Sequence, residues 1–341
     1  MTTRCVVVVV LLSLFGCSAA SSSDVSSENV GQTTSPVISG TPSDESQNSV
    51  VLLVHLDLTG GVITECTGTL LAPKLVLTAR HCVAATDDAV ACDIDGNPST
   101  GAGSVQGNYA PDSLYIFTGQ NAPKLNNDSF QIAPRGVQIL DDGATNLCNN
   151  DIALVVLDTA ITDMPISPVR LDSDVEVGEL VTVVGWGVTE TDNPAVRQQR
   201  TGVEILGVGP QVNQGVPIPP NEFEVGESIC SGDSGGPAFA STGAVVGIVS
   251  RGGNDKSLDP NHLAATCTGA KNIYTKLSPF KDFILRGYTA AGADPWLESR
   301  NSEVAPGGCS ASPAEQSGSG VVVVAIAAVG FAVARRRRAR D

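Results

Sequence analysis

A chain of 341 residues with a formal charge of −16 exceeds one average domain, yet fits a single large unit with processing segments at its ends. Its acidity excludes a nucleic-acid partner, because phosphate binding needs clustered Lys and Arg on the folded body, and the arginines at 335–338 and 340 leave the remainder more acidic still. Glycine at 36, proline at 20 and aromatics at only 4%, with many short Val, Ile and Leu runs, predict short strands joined by turns: an all-β fold.

Residues 1–17 carry Arg4, then an apolar run over 6–15, then small residues, the layout of a secretory signal and too short to span a membrane. Leu14-Phe15-Gly16-Cys17 resembles the lipobox of bacterial lipoproteins, which makes Cys17 a lipidation candidate; simple cleavage near Ala19-Ala20 is the alternative. Residues 18–36 are Ser-rich and cannot bury a core, so they read as a tether or pro-segment. The body, residues 37–290, holds strand-like runs at 50–56, 75–79, 151–157, 180–186, 203–206, 245–250 and 273–277, each bounded by Gly, Pro, Asn or Asp. Such spacing suits a sandwich or barrels. Phe280, Phe283 and Ile284 at i, i+3 and i+4 predict a closing helix.

Residues 291–317 form a linker containing Cys309, and residues 318–334 are an uninterrupted small-and-apolar stretch followed by four arginines. As a helix that stretch reaches about 25 Å, the lower limit for a membrane span, with the arginines on the cytoplasmic side. Cys309, spacer, helix and arginine cluster together resemble the C-terminal sorting signals of myxobacterial surface proteins, in which cleavage occurs near the cysteine; an ordinary C-terminal anchor is the alternative. The expected location is the cell envelope or surface, with release to the exterior as a further outcome.

Three motifs converge on one chemistry. Leu77-Thr78-Ala79-Arg80-His81-Cys82 sets a histidine after a buried strand, Asn150-Asp151-Ile152-Ala153-Leu154 starts a strand with a carboxylate, and Gly232-Asp233-Ser234-Gly235-Gly236-Pro237 places a serine in a glycine-rich bend. A serine hydroxyl needs a base, and the base needs a partner that fixes its tautomer. With Gly185-Trp186-Gly187, Ser250 and Ile273-Tyr274-Thr275-Lys276-Leu277, these motifs resemble the trypsin-like (chymotrypsin-fold) serine peptidases over most of residues 37–290, in the chain order His, Asp, Ser. Arg80 stands where the family usually carries alanine.

The resemblance implies two six-stranded antiparallel Greek-key barrels with a C-terminal helix, no cofactor, and hydrolysis of protein or peptide substrates by a monomer. His81, Asp151 and Ser234 would form the triad, and the N–H groups of Gly232 and Ser234 the oxyanion hole. Ser228, Ser250, Gly252 and Asn272 would line the substrate pocket, with Ser228 at the floor arguing against a basic P1 residue. Cys66 would pair with Cys82 and Cys230 with Cys267, leaving Cys92 and Cys148 to each other by elimination. Val37-Ile38-Ser39-Gly40 resembles the start of the mature family enzymes, so an unknown activating protease would cut before Val37 and free an amino group for Asp233.

Neither His55 nor His262 shows metal-ligand spacing, so no metal is expected, and Asp93-Ile94-Asp95-Gly96-Asn97 lacks the rest of a calcium loop. Two competing readings exist. A catalytically dead relative acting as a surface-binding module is disfavoured by the intact triad types, and a lipase or esterase by the lack of strand–helix alternation.

Overall fold

The computed structural model of the protein describes residues 28–29 and 37–299, except 88, 100–101, 188–195, 255 and 257–262. The expected signal segment at 1–17 with Cys17, and His262, Cys309 and the apolar stretch at 318–334, lie outside the described residues. Among the described residues no helix is long and apolar enough to cross a membrane.

Two sheets of antiparallel strands make the body. In the first, β1 (Val50–Leu56), β2 (Val62–Ala72), β3 (Leu75–Thr78), β4 (Leu114–Phe117), β5 (Gly136–Leu140) and β6 (Ala153–Leu157) lie in the order β5-β6-β3-β2-β1-β4. Its two edges meet at a single bridge between Tyr115 and Arg135. In the second, β7 (Leu180–Gly185), β8 (Gln198–Val208), β9 (Glu222–Val225), β10 (Pro237–Phe239), β11 (Val245–Gly253) and β12 (Lys271–Lys276) lie in the order β7-β10-β11-β12-β9-β8. Direct pairing of β7 with β8, from Leu180↔Glu204 to Gly185↔Gln198, closes this ring. Adding six to each strand number of the first ring gives the second, so one Greek-key path is used twice.

The strands form where β-branched residues can be buried on a pleated surface. Val51, Leu53, Leu70, Val76, Ile116 and Val155 fill the first barrel, and Val183, Val203, Ile205, Phe223, Val246 and Tyr274 the second. A third cluster lies between them, where Val50, Leu77 and Ile152 meet Val184, Phe239 and Ile248. Beyond the short α1 (Asn127–Ile132) the chain forms α2 (Lys281–Ala291), onto which this cluster continues and which buries Phe283, Ile284, Gly287 and Tyr288. A Cβ at Gly287 would run into the Leu154 side chain, so glycine is what lets the helix lie close to β6. The helix ends at Gly292 (φ 66°), with the N–H groups of Gly292 and Ala293 bonded to the carbonyls of Thr289 and Tyr288.

The predicted helix is therefore present, and packing extends past residue 290: Leu297 bridges Val169, and Glu298 pairs with Arg170 at 2.6 Å. Near the start of the body, the fully buried Arg197 donates to Ser43 Oγ, Asp44 O, Asn48 Oδ1, Val50 O and Gly119 O. Desolvation draws its pKa down to about 10. Short strand Thr41–Pro42 pairs with the start of β8 beside it.

Candidate active site

The site lies where the two barrels face each other. His81 sits in a single 3₁₀ turn, Arg80–Cys82, that follows β3. The turn is fastened by the Cys66–Cys82 disulfide to β2. Asp151 ends the loop before β6, and its carboxylate is wholly buried. Oδ2 of Asp151 lies 2.8 Å from His81 Nδ1, Oδ1 accepts the His81 backbone N–H at 3.1 Å, and Ser250 Oγ donates to Oδ2 at 2.7 Å. Burial opposes ionisation of this carboxyl, but the adjacent His81 charge and these hydrogen bonds outweigh it and hold the group below the usual carboxylate range. The bond at Nδ1 fixes the imidazole so that Nε2 becomes the acceptor.

Ser234 lies 7% exposed in the turn between Cys230 and β10. Its carbonyl accepts the Thr67 N–H at 2.8 Å and lies 3.6 Å from Cys82 Sγ, beside the histidine turn. Gly235 (φ 76°) makes the turn possible: a Cβ there would strike Thr78 Oγ1 and the Thr67 carbonyl. The structure thus brings His81, Asp151 and Ser250 into direct contact and sets the Ser234 backbone next to them. His81 Nε2 is buried and makes no hydrogen bond among the described residues, the Ser234 hydroxyl included. Contacts of this kind are commonly loose before substrate binds.

Asp233 is also wholly buried, accepting the N–H groups of Cys230 and Gly187, each at 2.9 Å. Desolvation pushes its pKa well above the usual range, with those two bonds working the other way. Gly185 makes room for it, since a Cβ there would overlap the carboxylate. Val37 and Ile38 are buried, and the Ile38 N–H bonds the Ser228 carbonyl at 3.0 Å.

At the suggested pocket, Ser228 is buried, and Asn272 faces Gly252 across the β11–β12 pair. Asn272 Nδ2 donates to Gly226 O at 2.9 Å and reaches Ser228 Oγ at 3.4 Å, while Oδ1 lies over Gly252 where a Cβ would otherwise be. Ser250, expected among the pocket residues, points its hydroxyl at Asp151. Cys230–Cys267 and Cys92–Cys148 are joined as disulfides.

His55 stacks on Tyr109 with ring centroids 3.8 Å apart. Asp93 satisfies itself on Asp95 N, Asn97 N and Asn97 Nδ2, a solvent turn. Cys66, His81 and Cys82 are close enough to suggest a metal site, but both sulfurs are committed to one disulfide. Sequence reasoning missed Thr67, whose hydroxyl accepts the Trp186 N–H at 3.1 Å and donates to the Gly232 carbonyl at 2.8 Å. It also missed Thr275, whose hydroxyl bonds the Asp151 carbonyl at 3.2 Å. Hydroxyl residues on otherwise apolar strands were the available signal.

Comparisons with known proteins bear on the family and the fold. The chain is 27% identical to phenoloxidase-activating factor 3 of Holotrichia diomphalia over 266 residues, 69% of this chain and 67% of that protein. It is 28% identical to snake venom serine protease Haly-2 of Gloydius brevicauda over 67% of this chain and 80% of that one. A solved mutant of human heparin binding protein superposes with a TM-score of 0.50 at 20% identity, covering 76% of this chain and 99% of that chain, which supports the fold. The family model described as Trypsin matches residues 37–284, so the chain belongs to the trypsin family of serine proteases.

Proposed function

We propose that the protein is an endopeptidase in which Ser234 attacks the scissile carbonyl, His81 Nε2 takes the hydroxyl proton and later gives it to the leaving amine, and Asp151 steadies the imidazolium. The observation that carries this reading is the buried Asp151 carboxylate bonded at once to His81 and Ser250 beside the Ser234 turn. Attack forms the Ser234 Oγ–carbonyl carbon bond and breaks the C–N bond, giving an acyl-enzyme that water releases by the same proton traffic. The N–H groups of Gly232 and Ser234 would receive the oxyanion, a contribution of about 3 kcal/mol per donor in comparable enzymes.

Cleavage before Val37 would activate the chain, because the new α-amino group supplies the cation that the buried Asp233 lacks among the described residues. The pocket favours a small or medium uncharged P1 residue, since Ser228 brings no negative charge and Asn272 narrows the slot over Gly252. Export to an oxidising compartment suits three disulfides. Lipidation at Cys17 and cleavage near Cys309 belong to the same proposal; palmitate-analogue labelling and mass spectrometry of the mature C-terminus test them.

The decisive experiment is a fluorophosphonate probe on the matured protein. Labelling that disappears in Ser234→Ala supports the enzyme; an unlabelled mature chain supports a binding module instead. N-terminal sequencing of active material should begin at Val37.

A further inference from the structure

Arg251 is the charged residue of strand β11, directly after Ser250. It lies 3% exposed and faces the wholly buried Glu222 at the start of β9. The two meet fork to fork, with NH1 to Oε1 at 2.9 Å and NH2 to Oε2 at 2.6 Å. Each charge is costly to bury alone, and such pairs are often no more stable than an apolar replacement of equal volume. Stability is therefore a weak reason for the pair to be here.

Its position supplies a better one. Oε1 of Glu222 also accepts the Asn149 N–H at 2.9 Å. Asn149 has φ 68°, a left-handed conformation that asparagine tolerates, and it lies two residues before Asp151. The neighbouring Asn221 grips it twice more, N–H to Oδ1 at 2.8 Å and Nδ2 to the carbonyl at 3.2 Å. On its other side, Cys148 is tied to Cys92. The bonds close a ring: Asp151, Asn149, Glu222, Arg251, Ser250 and back to Asp151 Oδ2 at 2.7 Å.

We propose that Glu222 is a positioning residue for the triad, its side-chain oxygen latching the aspartate loop of the first barrel to β9 of the second through the Asn149 N–H, with Arg251, beside Ser250, balancing its buried charge. The proposal rests on Asp151 serving His81 as argued above. Catalytic geometry is sensitive at this scale, with a misplacement of about 1 Å able to cost 10²-fold in rate.

Glu222→Gln alone strands a buried arginine and can unfold the chain, so the test uses paired replacements in the matured protein. Glu222→Leu with Arg251→Met removes the latch; Glu222→Gln with Arg251→Met keeps an amide oxygen for the Asn149 N–H. In the first pair we expect a folded enzyme with kcat down about 10–100-fold and KM little changed. The second pair should recover most of the rate. The proton resonance of His81 Nδ1–H reports on the Asp151 contact without any turnover, and it should shift only in the first pair. A wild-type resonance and rate in the Leu/Met pair, or a Gln/Met pair no better than it, overturns the latch. A wild-type protein that no fluorophosphonate labels overturns the peptidase reading, and the resonance still decides the latch.

Discussion

Each barrel buries one aspartate completely, and the two are driven in opposite directions. Asp151, on the first barrel, has His81 and Ser250 within hydrogen-bonding distance, and its carboxyl sits below the usual range. Asp233, on the second, has two backbone N–H groups and no cation among the described residues, and its carboxyl sits well above that range. Identical side chains at equal depth thus differ only in partners, and the difference separates a carboxylate set against an imidazole and a hydroxyl from one set against backbone N–H groups alone among the described residues.

The largest effect should come from the proposed nucleophile on the second side. Ser234→Ala is expected to lower kcat by about 10⁶-fold, and Asp151→Asn by about 10⁴-fold, both read from steady-state hydrolysis of a peptide substrate. An equal loss from both would mean that Asp151 does more than orient and stabilise His81. Next, replacing Cys92 and Cys148 together by alanine should cost about 2–5 kcal/mol in chemical denaturation. Because Cys148 adjoins Asn149 in the aspartate loop, the loss should appear in kcat as well as in stability.

The aspartates themselves give opposed pH responses. Asp151, depressed in the fold, adds stability above its unfolded value of about 3.9, and this is lost as pH falls below it toward the folded value. Asp233, raised in the fold, adds nothing unfavourable below about 3.9, and in the uncut chain it weakens the fold as pH climbs from there toward its folded value. Melting the uncut chain and the form starting at Val37 across this range should show the second decline in the uncut chain alone, and Asp233→Asn should flatten it. The smallest effect is expected at the pocket: Asn272→Gly should leave stability nearly unchanged and broaden the P1 preference toward larger residues in a peptide library.

Much of this comparison was legible beforehand, and unevenly. The run at 50–56 coincides with β1, and the pattern of Phe280, Phe283 and Ile284 marked α2, because continuous β-branched stretches and helical periodicity are local signals. β2 and β9 carry charged or hydroxyl residues within their spans, so the same rule passed over Val62–Ala72 and Glu222–Val225. The motif residues were readable because each is flanked by distinctive neighbours. Glu222 and Arg251 were not, since their meaning lies in a partner 29 positions away that only the closed sheet brings near. Ser250 was visible as a pocket residue but its bond to Asp151 was not, for the side a strand residue faces depends on register, and β11 changes register between Val249 and Arg251.

Helix α2 follows β12 in the chain yet lies against β3 and β6, which are made much earlier. A ribosome therefore releases the first six strands with Leu75 and Leu154 uncovered, and the sheet waits for a cap more than a hundred residues downstream. Nascent chains arrested before residue 281 should accordingly bind holdase chaperones and resist compaction, and a synthetic peptide of residues 278–299 supplied in trans should relieve both.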